Sequence, residues 1–222
     1  KKFISDFLYP LNLLYSKFKE GAISGIVYQL NESLGAINLS KDKKFTNQLI
    51  EKHKSSLLNS GIKIGELFIW VPGLFKNKQR EFFWNLKQIY YEIENRTDYP
   101  DYKSIISKHK APKVILYSSE FILIGENFYN VKLIERIIKK IRDTTKHKKL
   151  FFSYKKNISY FNKNFGLSFS QLKDILHKLN FKKDKENPVK YVLKENNIKM
   201  NNYIKSERKN SPFAILKKLS IN

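Results

Sequence analysis

The 222-residue chain has no cysteine. That excludes disulfide staples and thiolate sites for metal or redox chemistry. Acids are few: 20 Asp and Glu stand against 43 Lys and Arg, a formal charge of +23. They are scattered, so no carboxylate cluster of the two-metal nuclease kind appears. Arginine is scarcer still, at 5 residues, which leaves few bidentate forks for guanine edges. Long apolar stretches are missing too. The longest run without a charge, Gly21 to Asn31, has eleven residues, whereas a bilayer span needs roughly 20. No signal peptide is expected, and a cytoplasmic location is. The single methionine is Met200, and the expectation is a piece of a longer chain.

Nucleotide motifs are absent as well. There is no Gly-x-x-x-x-Gly-Lys-Ser/Thr and no Gly-x-Gly-x-x-Gly, hence no phosphate cradle of either kind. His53, His109, His147 and His177 are not spaced as a ligand pair, so no metal site and no catalytic residue is predicted. Glu32 and Glu135 are the acids to watch, with Glu135 expected to pair with a helical neighbour such as Lys132 or Lys139.

What is present is lysine, 38 residues of it, and an apolar fraction of 41% that includes 17 Phe and 13 Tyr. Such a chain can bury a core. Lysine and the 21 asparagines also fit the drift of an A/T-rich coding sequence. Uniform drift does not explain the distribution, because residues 1–100 carry net +5 and residues 101–222 net +18. Lysine attracts phosphate at long range without reading sequence, so the C-terminal half suits backbone contact.

Periodicity predicts helices over 7–18, 22–34, 45–58, 79–93 and 131–141, the fourth with Phe82, Phe83, Leu86, Ile89, Tyr90 and Ile93 inward. The β-formers of 62–72 predict one extended segment or a bent pair, and 114–117 and 121–125 read as short strands. Residues 95–112 read as a long connection with a turn of helix at 102–106. Ser168 and Gln171 predict a capping box opening a helix with Leu172, Ile175, Leu176 and Leu179 inward. A short helix ending near Phe165 and a turn at Gly166 precede it. Helix, glycine turn and capped helix is helix-turn-helix or winged-helix grammar. The fold class expected is mainly α with a few short β-strands, α+β. The expected divisions are a helical accessory domain over 1–145, a basic helix-turn-helix-like module over 146–184, and a polar tether with a docking segment over 185–222.

Lys146, Lys148, Lys149, Lys155, Lys156, Lys173, Lys178, Lys182 and Lys183 are the predicted nucleic-acid contacts. Phe152, Tyr154 and Tyr160 are aromatics that could stack on bases, with core packing as the plainer reading.

Six ordered segments carry a resemblance. Gly25-Ile-Val-Tyr-Gln-Leu-Asn-Glu-Ser-Leu-Gly35, Gly61-Ile-Lys-Ile-Gly65 and Phe68-Ile-Trp-Val-Pro-Gly-Leu-Phe-Lys76 are the first three. Phe121-Ile-Leu-Ile-Gly125 with Val131–Ile137, the segment Phe165 to Phe181, and Ser211-Pro-Phe-Ala-Ile-Leu216 complete the set. Together they resemble the C-terminal region of alphaproteobacterial ATP-dependent helicases similar to the mitochondrial SUV3 RNA helicase. Ser24 stands where that family has arginine before its first glycine.

The resemblance implies a non-catalytic accessory region that contacts the nucleic-acid backbone. The implied partners are RNA or single-stranded nucleic acid, RecA-like motor domains upstream and a nuclease, with no membrane. ATP and magnesium would belong only to the motor domains, and this chain would hold no cofactor. Two alternatives stand beside it. One is a protein-interaction module docking a nuclease or ribosomal partner through the Trp70–Phe75 or Pro212–Leu219 surface. The other is a stand-alone helix-turn-helix DNA-binding protein.

Overall fold

A computed structural model describes residues 2–19, 21–39, 43–146, 151–185 and 190–193. The fold is mixed, mainly helical, with short antiparallel strands in three small sheets. It divides into two compact units, Lys1–Asp143 and Thr144–Asn222.

In the first unit, helices α1 (Lys2–Lys17) and α2 (Ala22–Glu32) pack together. Leu11, Leu14, Ile26, Val27 and Leu30, spaced three and four apart, form their buried stripes. Strand β1 (Ala36–Asn38), helix α3 (Lys43–Asn59) and the hairpin β2 (Lys63–Ile64) and β3 (Phe68–Trp70) follow. The sheet order is β1-β3-β2, with Ile37 opposite Ile69 and Ile64 opposite the same residue. Helix α4 (Asn77–Tyr90) leads to a second sheet of β4 (Ile105–Ser107), β5 (Phe121–Ile124) and β6 (Asn127–Asn130), ordered β4-β6-β5. Trp84 of α4 packs with Val114, Ile115, Phe121 and Phe128 in the core above that sheet. Helix α5 (Val131–Lys146) starts directly after β6 and buries Leu133, Ile134, Ile137, Ile138 and Ile141.

Three local expectations are corrected here. Residues 105–107, expected at the end of a helical turn, pair with β6 as an edge strand. Residues 114–117, expected as a strand, lie instead in a 3-10 helix, Lys113–Tyr117. The Pro112 carbonyl accepts from the Ile115 N–H, and the Ser118 hydroxyl reaches back to the Val114 carbonyl at 3.1 Å, so local bonds replace a ladder. The Trp70–Phe75 stretch is not a free docking surface, because Val71, Leu74 and Phe75 are buried.

The second unit contains β7 (Phe151–Ser153), α6 (Tyr154–Phe165), α7 (Phe169–Lys178), β8 (Phe181–Lys183) and β9 (Lys190–Leu193). The sheet order is β7-β9-β8, all antiparallel. A helix-turn-helix followed by a hairpin whose last strand lies between the other two is the winged-helix arrangement. Its core is Phe152, Phe161, Leu167, Leu172, Ile175, Leu176, Leu179, Phe181, Tyr191 and Leu193. Residues 190–193, read from sequence as part of a polar tether, are thus the central strand. Tyr191 and Leu193 alternate onto the covered face and hold the hairpin down. The docking segment expected at 212–219 lies outside the described residues.

Candidate nucleic-acid interface

The helix-turn-helix is set by short-range chemistry. Helix α6 ends at Gly166 in the left-handed region, φ 66°, where its N–H reaches the Asn162 carbonyl at 2.8 Å. Two residues on, the Ser168 hydroxyl accepts from the Gln171 N–H at 3.3 Å and the Gln171 side chain accepts from the Ser168 N–H at 2.9 Å. This reciprocal capping box fixes where α7 begins and which residues face outward. Leu172, Ile175 and Leu176 point into the core. Phe169, Lys173 and His177, at i, i+4 and i+8, form one exposed ridge, and Ser170 with the half-buried Asp174 and Lys178 forms the next.

The hairpin adds two more lysines. His177, Asn180, Phe181, Lys182 and Lys183 line a groove between the end of α7 and β8. Register divides the pair: Lys183 is opposite Tyr191 and shares its covered face, while Lys182 is opposite Val192 on the other. Both are exposed. Asn180, at φ 65°, turns the chain from α7 into β8.

The predicted contacts therefore fall into groups. Lys173 and Lys178 share α7 on adjacent ridges, and Lys183 flanks the groove at its end. Lys182 points to the opposite sheet face. Lys156 is exposed on α6. Lys146 ends α5 and Lys155 lies in α6, with neither side chain among the described ones. Lys148 and Lys149 lie outside the described residues. Residues 151–185 and 190–193 hold nine lysines against two aspartates, so this unit carries a strong positive field.

Of the aromatics proposed for stacking, Phe152 is fully buried, so that role is corrected to core. It packs edge-on against Phe161 at 5.8 Å. Tyr160 is partly exposed and lies against Phe161 and Phe165. The side chain of Tyr154 is outside the described ones. The exposed aromatic that sequence reasoning missed is Phe169, 61% accessible at the start of α7. The capping box itself marks it as the first helical residue, off the Leu172/Ile175/Leu176 stripe.

The first unit holds its ionisable groups for structure. Glu135 does not pair with Lys132 or Lys139. Its carboxylate accepts the backbone N–H groups of Glu66, Leu67 and Phe68 at 3.0, 2.8 and 2.9 Å. Burial pushes its carboxyl above the ordinary carboxylate range, and the three N–H groups oppose that shift. Lys132 instead donates to the Phe75 carbonyl. Burial also lowers the Lys87 ammonium, with Glu120 opposing and Arg80 adding to the shift. His109 faces Glu126 at 3.6 Å with both exposed. Among the described residues no group of three or more His, Asp or Glu could hold a metal ion. No described helix is long and apolar enough to cross a membrane.

No family model, curated protein or solved structure matches the chain. What the resemblance implies of the parent protein, a SUV3-like helicase that is nucleotide-binding, ATP-binding and a hydrolase, with RNA- or DNA-binding inherited from that family, is therefore corrected: none of it has support, and none is carried forward. Any functional reading has to stand on the second unit's own geometry and charge.

Proposed function

We propose that the chain is a non-catalytic module whose winged-helix unit holds a nucleic-acid phosphate backbone electrostatically. The observation that carries this reading is the exposed lysine set of α6, α7, β8 and the bend after β8. Lys156, Lys163, Lys173, Lys182, Lys183 and Lys185 are all exposed, against only Asp174 and Asp184 as acids in the same stretch. Backbone contact asks for cations at moderate spacing and no base-reading forks, and the described part of this unit contains no arginine. The reading includes a cytoplasmic location.

The test is binding of a fluorescent 12-nucleotide strand by the full chain across a salt series. Each lysine–phosphate pair removed lowers the slope of log affinity against log salt by about 0.7 for a single strand. The double variant Lys173→Glu, Lys183→Glu should flatten the slope by about 1.4. An unchanged slope and affinity would sink the proposal.

A second reading has its own observation. Leu86, Ile89 and Tyr90 of α4 and Leu116 and Tyr117 of the 3-10 helix are exposed, and Tyr91 stacks on Tyr117 at 3.9 Å. An apolar patch of this kind suits a protein partner on the first unit. Tyr90→Glu with Leu116→Glu should then release a co-purifying protein and leave strand binding unchanged. Retention of that protein would remove this reading.

A further inference from the structure

The backbone reading leaves open what kind of strand the unit accepts, and α7 narrows it. A helix that reads an intact duplex by bidentate forks offers Arg, Asn or Gln side chains to base edges in the major groove, and Lys, Asp, Glu and Ser also reach them. The outward ridges of α7 hold no Arg or Asn, only Lys173, Lys178, Asp174 and Ser170 from the second set. Gln171 is spent on the capping box, and Ser168 and Ser170 bond each other at 3.1 Å. The second ridge contains Asp174, which repels phosphate.

The first ridge has a different chemistry. It begins with the exposed ring of Phe169, continues with Lys173 and ends with the exposed imidazole of His177, over about 12 Å of helix. Lys183 flanks the groove at the far end. A large apolar ring that faces water beside cations finds no open base face in an intact duplex, whose bases are stacked on each other, and is left with thymine methyl groups or a wedge between steps. It matches a strand whose bases are free, because every base has a face to stack and stacking tolerates any sequence.

We infer that the Phe169–Lys173–His177 ridge is a binding site for nucleic acid with unpaired bases: Phe169 stacks on a base while Lys173 holds the adjacent phosphate and Lys183 one further along the strand. The inference rests on the backbone reading above and adds to it a stacking residue and a preference for single strands.

The test uses the full chain with three probes of equal length: a uridine 12-mer, a thymidine 12-mer and a blunt duplex. Phe169→Ala should weaken binding of the single strands about tenfold, with the salt slope unchanged and duplex affinity kept within twofold. The two single-strand arms separate RNA from DNA. Phe169→Tyr should restore single-strand affinity. Phe169→Trp keeps a ring at the site, and its emission should be quenched by either 12-mer and not by the duplex. Trp70 and Trp84, the two native tryptophans, supply the constant background.

Unchanged single-strand affinity in Phe169→Ala, or equal loss for strand and duplex, would overturn the inference while leaving the backbone reading in place. Full binding by Lys173→Glu with Lys183→Glu would overturn the backbone reading itself. Should Phe169→Ala fail to fold, the tryptophan quenching alone decides, and its absence with a 12-mer counts against the inference.

Discussion

Arg80 donates through Nη1 to Glu120 Oε2 at 2.5 Å, and both side chains are only 2% exposed. The guanidinium is used on all sides. Its Nε donates to the Leu74 carbonyl at 2.6 Å and its Nη2 to the Leu34 carbonyl at 2.9 Å. The rings of Phe75 and Phe83 cover it at 4.2 and 5.0 Å. One side chain thus ties α4 to the turn after α2, to the 3-10 helix at 72–75 and to the entry of β5. Removing one member of such a pair strands a buried charge, which costs about 3–5 kcal/mol. Arg80→Met and Glu120→Leu should each destabilise the first unit by that order. The double variant should cost less than the sum, without returning to wild type, because the Leu34 and Leu74 carbonyls stay unpaired. Urea unfolding followed by tryptophan emission measures this, since Trp70 and Trp84 both lie in the first unit. Single losses under about 1 kcal/mol would contradict the clamp.

A second long-range tie joins α5 to the β2–β3 hairpin. A methyl group at Gly65 would overlap the Glu135 carboxylate. Gly65 is therefore needed for close approach and not for an unusual φ. Gly65→Ala should cost about 1–3 kcal/mol by displacing the carboxylate from its three N–H donors. Glu135→Ala should cost a similar amount by leaving those donors unpaired. Combined, they should cost clearly less than the sum, because both act on one contact. Strict additivity in the same urea assay would show that the overlap is not the cause.

How much of the molecule is legible in the sequence follows from the range of each interaction. The stripes of α2, α5 and α7, the Gly166 turn and the Ser168–Gln171 box are local, and each shows in a few neighbouring residues. The apolar spacing of α4 misleads: Leu86, Ile89 and Tyr90, expected inward, are exposed, while Arg80, Trp84 and Gln88 are buried. Nothing near Arg80 distinguishes it from a surface arginine, because its partner is forty residues away. Glu135 reads as one end of a helical ion pair for the same reason: its donors are nearly seventy residues distant. Strand β9 is hidden because Tyr191, Val192 and Leu193 sit in a polar run, and only the pairing with β7 and β8 gives their alternation meaning. The lysines of the candidate interface are legible as charge, whereas the division of Lys182 and Lys183 onto opposite sheet faces needs the register.

Glu135 also predicts a pH dependence, with a sign that separates two opposing effects. Burial holds its carboxyl above the ordinary value of 4.5, against the pull of the three N–H groups. A carboxyl with a higher pKa folded than unfolded binds its proton more tightly in the native state. Its contribution is then most favourable below 4.5, falls as pH rises from there through the raised folded value, and stays constant beyond. The stability difference between wild type and the non-titrating Glu135→Gln should therefore shrink across that window and level off above it. A difference that grows with pH instead would mean that the backbone donors prevail over burial.

In the second unit, helix α7 depends on two local devices next to each other. Ser168→Ala removes the acceptor for the Gln171 N–H and half of the reciprocal box, a change worth about 1 kcal/mol. Gly166→Ala meets no neighbouring atom, so its cost is the backbone alone: about 1 kcal/mol for a side chain held at positive φ. Gly166→Asn should cost less, since asparagine tolerates that region best among the larger residues. Both native tryptophans lie in the first unit, so their emission should not register these changes. Amide hydrogen exchange should register them as faster exchange across α6 and α7 with α4 and α5 unaltered. Neither substitution removes a cation, so the salt slope for strand binding should stay at the wild-type value even where affinity drops with the folded fraction. A changed slope in Ser168→Ala would mean that the cap itself touches phosphate, and the ridge would then have to be redrawn around residue 168.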